Sequence, residues 1–134
     1  MITEFNNMKN NFSNKNITLN QAKIGLTGKY IGDLRNDMRE GKEIYYYNSG
    51  NRYEGDWRNN KKGGKGIYYF NSGNIYEGDW KNFKREGKGI FYYNEGDRYE
   101  GDWKNDNAEG KGICYCNSGE TVICNFLNGI KIIY

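Results

Sequence analysis

Carboxylates recur through this chain at even spacing: Asp33, Glu54, Asp56, Glu77, Asp79, Glu100 and Asp102. Paired carboxylates can run acid–base chemistry or hold a hard cation. Three cysteines, Cys114, Cys116 and Cys124, stand close together, and clustered thiolates are zinc ligands. Basic residues recur as well, at Arg58, Lys61 and Lys62 and again at Lys81, Lys84 and Arg85, where they could meet phosphate or carboxylate. The pattern nevertheless argues against catalysis. The carboxylates return identically in each copy of a motif, as structural positions do and a unique reaction centre does not. There is no histidine anywhere in the chain, so a zinc site would lack its commonest nitrogen ligand. "GGKG" at Gly63–Gly66 lacks the spacing and the following helix of a phosphate-binding loop. These residues therefore predict no enzyme, no cofactor and no metal.

The elements that carry them are set by a period. "YEGDW" occurs at Tyr53, Tyr76 and Tyr99, a constant step of 23 residues; one step back lies "YIGDL" at Tyr30, and one step forward "VICNF" at Val122. Glycine pairs recur in phase at Gly64/Gly66, Gly87/Gly89 and Gly110/Gly112, and so do the turns at Asn48, Asn71, Asn94 and Asn117. The period divides the chain into units 30–52, 53–75, 76–98 and 99–121, with a partial unit 122–134. Repeats of this length build stacked architectures in which each unit buries its apolar face against the next.

Within a unit, "YEGDW" alternates large with small or polar residues, and "GKGIYYF" is rich in β-branched and aromatic residues; both patterns predict strands. Each unit is read as a hairpin, and successive hairpins pair edge to edge. The loop Asn71-Ser72-Gly73 suits a type I turn closed by a left-handed glycine. That register sets Lys65 against Asp79, Gly66 against Gly78 and Tyr68 against Tyr76. One face then carries Tyr53, Gly55, Trp57, Gly64, Gly66, Tyr68 and Phe70. The strand glycines leave room for neighbouring rings to lie flat on the backbone. The predicted fold is all-β: a single-layer, elongated, curved antiparallel sheet of stacked 23-residue hairpins over residues 30–134. Residues 1–29 are asparagine-rich and read as an irregular arm, with one degenerate strand from Lys23 to Tyr30.

The unit Tyr-Glu-Gly-Asp-Trp, then Gly-Lys-Gly after six residues, then a glycine-closed turn resembles the MORN repeat (membrane occupation and recognition nexus). The resemblance covers 30–121 well and 122–134 loosely. It implies a sheet of stacked hairpins serving as scaffold, partner-binding surface or dimerisation module, in cytoskeletal, ciliary or membrane-junction settings or appended to enzymes. This chain departs from the family at two points. Asn60, Phe83 and Asp106 stand where glycine is usual three residues after the tryptophan, and asparagine opens the turns where proline is frequent.

Three surfaces follow from the register. The aromatic face, with Tyr53, Trp57, Tyr68, Tyr76, Trp80, Tyr99 and Trp103, is either a groove for a peptide or protein partner or a set of rings satisfied by one another. The loop edge, with Arg58, Lys61, Lys62, Lys81, Lys84 and Arg85, is either a contact for anionic lipid or an acidic partner, or a solvated rim. The acidic ladder opposite the rings reads as structural, paired across strands with Lys42, Lys65 and Lys88. The cysteines read as free thiols filling space where the repeat degenerates, and the apolar strand at "IKIIY" reads as an edge open to self-association.

The net charge of +3 is too small to argue for nucleic acid, and no apolar run is long enough to span a bilayer. The start "MITEFNNMKNNFSNKN" lacks the pattern of a signal peptide, so a cytoplasmic location is expected and the glycosylation-type triplets at Asn11 and Asn16 read as chance. The expectation is a non-enzymatic scaffold subunit of a cytoskeletal or ciliary assembly. The alternatives are a peripheral membrane module that binds anionic phospholipid and a regulatory subunit of a separate enzyme.

Overall fold

The computed structural model describes residues 17–24 and 27–132, and the side chains from residue 27 onward. Among the described residues all regular structure is strand. The elements are β1 (Ile17–Ile24), β2 (Gly28–Arg35), β3 (Met38–Arg39), β4 (Gly41–Tyr47), β5 (Arg52–Arg58), β6 (Lys61–Tyr69), β7 (Ile75–Lys81), β8 (Lys84–Tyr92), β9 (Arg98–Lys104), β10 (Asn107–Tyr115), β11 (Thr121–Leu127) and β12 (Ile130–Ile132). They form one open antiparallel sheet in chain order, with the two-residue β3 off the path against β2. Apart from that short β3, every neighbour in the sheet is also a neighbour in sequence, as a stack of hairpins requires.

The expected register holds. Lys65 faces Asp79, Gly66 faces Gly78 and Tyr68 faces Tyr76. The Asn71-Ser72-Gly73 loop closes as foreseen: Gly73 N–H donates to Phe70 O at 2.9 Å, and Gly73 takes φ 96°. Two expectations are corrected. The sheet begins earlier than Tyr30, because β1 lies inside the stretch read as an irregular arm. Its "ITLNQAKI" supplies enough β-branched and apolar residues to pair with β2, and Lys23–Tyr30 is split between those two strands. Residues 1–16 and 25–26 of that arm lie outside the described residues.

The second correction concerns the connection after each tryptophan. It is not a long loop but a two-residue turn with both residues left-handed: Asn59-Asn60, Asn82-Phe83 and Asn105-Asp106, with φ between 48° and 72°. This is the mirror-image turn whose twist matches that of the flanking strands. The basic residues assigned to loops therefore sit on strand ends. The extra length is taken up by a bulge on the return strand, between Gly55/Trp57 and the paired Lys62–Gly66 segment.

The core lies on one face of a single layer. Tyr30, Tyr53, Tyr76 and Tyr99 are 0–1% exposed, although no second layer of described residues covers them. Tyr53, Tyr76 and Tyr99 each lie over a glycine of their own hairpin: a Cβ on Gly66 would collide with the Tyr53 ring, one on Gly89 with the Tyr76 ring and one on Gly112 with the Tyr99 ring. Each hydroxyl is also consumed, donating to the carbonyl three residues on. The distances are 2.9 Å for both Tyr53 to Asp56 O and Tyr76 to Asp79 O. The tryptophans stand edge-on between successive tyrosines. Trp80 meets Tyr53 and Tyr76 with both centroid distances 5.2 Å, and its Nε1–H donates to Gly66 O at 3.2 Å. Rings of this size each remove about 150–250 Å² from water, on the order of 4–6 kcal/mol before ordering costs.

Candidate protein-interaction site

The buried rings change what the aromatic face can offer. Of the seven residues read as a partner groove, Tyr53, Trp57, Tyr76, Trp80, Tyr99 and Trp103 are core, and only Tyr68 is half-buried. Rings whose faces and hydroxyls are already committed present little to a partner. Contact from that side falls to Tyr68 and Phe70 and to the exposed Phe83 and Tyr93.

What closes the face is cationic, and the sequence reading placed it elsewhere. Arg39, Lys62 and Arg85 occupy the same position in successive repeats, and all three fold back over the rings. The Arg39 guanidinium lies 4.4 Å from the Trp57 ring centroid, and that of Arg85 lies 4.6 Å from Trp103. Lys62 Nζ is 4.9 Å from Tyr68, 5.0 Å from Tyr47 and 5.1 Å from Trp80. Cations at such distances are held by the ring quadrupole. Lys62 is only 6% exposed, and burial pushes its ammonium down to about 8, from an ordinary value of 10.5. Lys62 and Arg85 thus leave the basic rim, whereas Arg58, Lys61, Lys81 and Lys84 stay exposed along it. The missed signal was the shortness of the turn. With a two-residue connection, alternation puts Lys62 on the same side as Trp57, its partner across the strands.

The two arginines are tied down by the turn of the next repeat. Arg39 Nε donates to Asn60 Oδ1 at 2.6 Å and its Nη2 to Asn60 O at 2.9 Å. Arg85 Nε donates to Asp106 Oδ1 at 2.7 Å and its Nη2 to Asp106 O at 2.6 Å. The position after each of these two arginines adds a second tie. Glu40 Oε2 accepts from Asn59 N–H at 2.9 Å, and Glu86 Oε2 from Asn105 N–H at 2.8 Å.

On the opposite face the acidic ladder has a structural task. Lys65 and Lys88 pair with Asp79 and Asp102 across the strands. The aspartates also receive backbone donors freed by the bulge: Lys65 N–H donates to Asp56 Oδ2 at 2.9 Å, and Lys88 N–H to Asp79 Oδ2 at 3.0 Å. Burial pushes the Asp79 carboxyl up, but Lys65 and the Lys88 N–H outweigh it, so its net shift is downward. The cysteines depart from expectation: Cys114 and Cys124 form a disulfide, with Cα atoms 6.0 Å apart, and Cys116 is free. The register makes this bond possible. Gly112 faces Cys124 and Cys114 faces Val122, so the two thiols are diagonal neighbours on one face.

An open sheet of in-phase hairpins, with its core exposed on no side and its polar ties repeated between copies, defines a repeat protein. The family model of the MORN repeat matches residues 30–52, 53–75, 76–98 and 99–121, and the chain belongs to that family. Repeats of this family generally mediate protein or membrane interactions. No curated protein matches the chain.

Proposed function

We propose that this chain is a non-enzymatic scaffold subunit that binds protein partners, in the cytoplasm and within a cytoskeletal or ciliary assembly. The setting is taken from the family resemblance. The observation that supports partner binding is the change of character in the partial fifth repeat. Positions that carry Glu100, Lys104 and Asn107 in the fourth repeat carry Ile123, Leu127 and Ile130 in the fifth. Ile123 is 65% exposed and Ile130 72%, with Leu127 and Ile113 exposed beside them. Ile113 faces Ile123, and Leu127 faces Ile130, so the four side chains share the face opposite the rings. Grouped apolar exposure of this kind marks an interaction surface.

The test is affinity purification of the tagged full-length chain, wild type against Ile123→Asp/Leu127→Asp. The double variant is expected to keep its strand circular dichroism and to lose its co-purifying proteins at least tenfold. Equal recovery from both would remove this surface from the reading. Sedimentation velocity on the same pair reports whether the partner is a second copy.

A second reading has one observation of its own. Arg58, Lys61, Lys81 and Lys84 stand exposed along the turn edge, a row that suits an anionic phospholipid surface. Co-sedimentation with phosphatidylserine vesicles that is abolished by Lys61→Glu/Lys84→Glu would favour it over the scaffold.

A further inference from the structure

The turns along one edge form a series in which one member is unlike the rest. Asn59-Asn60, Asn105-Asp106 and Asn128-Gly129 each have the asparagine N–H capped by a glutamate of the preceding repeat. The caps are Glu40 at 2.9 Å, Glu86 at 2.8 Å and Glu109 at 2.9 Å. The first two are tied again through Arg39–Asn60 and Arg85–Asp106. The Asn82-Phe83 turn has neither tie. Gly63 stands in phase with the glutamates, and Phe83 in phase with Asn60 and Asp106. Among the described residues no side chain accepts from Asn82 N–H and none accepts from Lys62 Nζ. The backbone tie alone survives, with Phe83 N–H donating to Lys62 O at 3.3 Å.

These replacements leave a shaped site. A Cβ on Gly63 would meet nothing within 4 Å, so the space a glutamate fills in other repeats is open. It belongs to an edge cavity of about 750 Å³ bordered by Trp57, Lys61, Gly64 and Lys81. On the ring side Tyr68, Phe70, Phe83, Arg85 and Asp106 line a smaller cavity of about 170 Å³. Lys62 and Trp80 border both. Lys62 is more than nine-tenths buried, and Asp106, the acid whose charge acts on it, is already committed to Arg85. Phe83 holds φ 68°, a conformation that asparagine and aspartate tolerate and a bulky ring does not. Strain of this kind persists where the surrounding structure enforces it, and it gathers at ligand clamps.

We propose that the notch between Lys62-Gly63 and Asn82-Phe83 docks an acidic side chain from a peptide segment of a partner, its carboxylate accepting from Asn82 N–H and pairing with Lys62. That carboxylate does from outside what Glu86 and Asp106 do one repeat later. The exposed Phe83 ring offers a contact for an apolar residue beside it, and Lys42, Arg58, Lys61 and Lys81 outnumber Glu40 and Asp56 along the edge cavity. The inference rests on the partner-binding reading above and supplies its chemistry.

Isothermal titration of the full chain with acetyl-Gly-Phe-Glu-Phe-Gly-amide and its glutamine counterpart tests it. The glutamate peptide is expected to bind at least tenfold tighter, with the Asn82 amide resonance among those that shift most. Gly63→Glu/Phe83→Asp rebuilds both internal ties. That variant is expected to melt higher than wild type and to bind the two peptides alike. Lys62→Met is expected to erase the same discrimination. Equal binding of the two peptides by wild type, or discrimination retained in the rebuilt variant, overturns the proposal. So does tighter binding of acetyl-Gly-Phe-Phe, whose only carboxylate is its terminus. Binding of phosphatidylserine vesicles that is lost in the rebuilt variant, with no peptide discrimination, also overturns it, in favour of a lipid ligand. The two readings fail separately. If co-purifying proteins are recovered while the peptides bind alike, the notch falls and the scaffold stands. If peptide discrimination is intact but nothing co-purifies, the scaffold falls and the notch stands.

Discussion

Around Arg85 the sheet closes on itself: Asp106 holds the guanidinium, Glu86 caps Asn105, and the cation lies over Trp103. One repeat earlier Lys62 lies over Trp80 in the same way, but Phe83 and Gly63 offer it and its turn no acceptor. Beneath the two cations the packing is the same. Tyr53, Trp80 and Tyr76 stack edge-on as Tyr76, Trp103 and Tyr99 do. The contrast separates two kinds of interaction in a repeat sheet. Ring packing runs continuously from one hairpin to the next, so losing a ring disturbs both neighbours. A turn tie joins one pair of residues across one interface, so a single tie can be given up without loosening the core.

The largest expected effect treats the two registers alike. Trp80→Ala and Trp103→Ala should each cost about 3–5 kcal/mol in urea denaturation, because each removes a buried ring at the same place in the stack. A difference of more than about 1 kcal/mol between them, beyond ordinary measurement scatter, would break the claim of a common core.

Next is pH, to which the Lys62 register should respond. The unfolded chain keeps Lys62 near its ordinary 10.5, while the folded chain releases the proton near 8. Between those values the unfolded state binds more protons, so stability rises with pH, by at most about 3 kcal/mol across the window. Burial holds the phenols of Tyr53 and Tyr76 protonated well past their ordinary range, and that acts in the opposite direction above it. The clean reading is therefore a rise from pH 8 to 9.5 that Lys62→Met abolishes. A flat wild-type profile would mean that the ammonium is better solvated than its burial implies.

A smaller effect separates the turns. Asp106→Ala should cost about 2 kcal/mol, because it strips a half-buried guanidinium of its acceptor. Phe83→Asp should instead stabilise by about 1 kcal/mol, by relieving a left-handed ring and supplying an acceptor. Matching signs for the two would remove the contrast. Least of all is the ladder on the far face. Lys65→Met and Lys88→Met should each change stability by about 0.5 kcal/mol or less, since both ammonium groups are well exposed and screened.

Much of this was legible before any coordinates. The 23-residue phase, the strand register through Lys65–Asp79, the glycine-closed turn and the rings over glycine all follow from local pattern and steric rules. The sequence reading mistook the Asn59-Asn60 connection for a loop because it weighed glycine as the sign of a tight turn, and asparagine can take the same backbone. That one error placed Lys62 and Arg85 on the rim instead of over the rings. The Cys114–Cys124 bond was missed for a different reason. It joins diagonal neighbours across strands, and the odd cysteine count pointed away from pairing.

Composition and period alone determined that this chain is a sheet of stacked MORN hairpins with rings on one face, because alternation and glycine placement act over a few residues and repeat without interruption. Whether those rings are a groove or a core was decided by the tertiary structure alone. Burial depends on what a neighbouring repeat folds over them, and the arginines that do so are held by partners 21 residues away at Asn60 and Asp106. The two ends of that contact always fall in different repeats, so no repeat taken alone contains both.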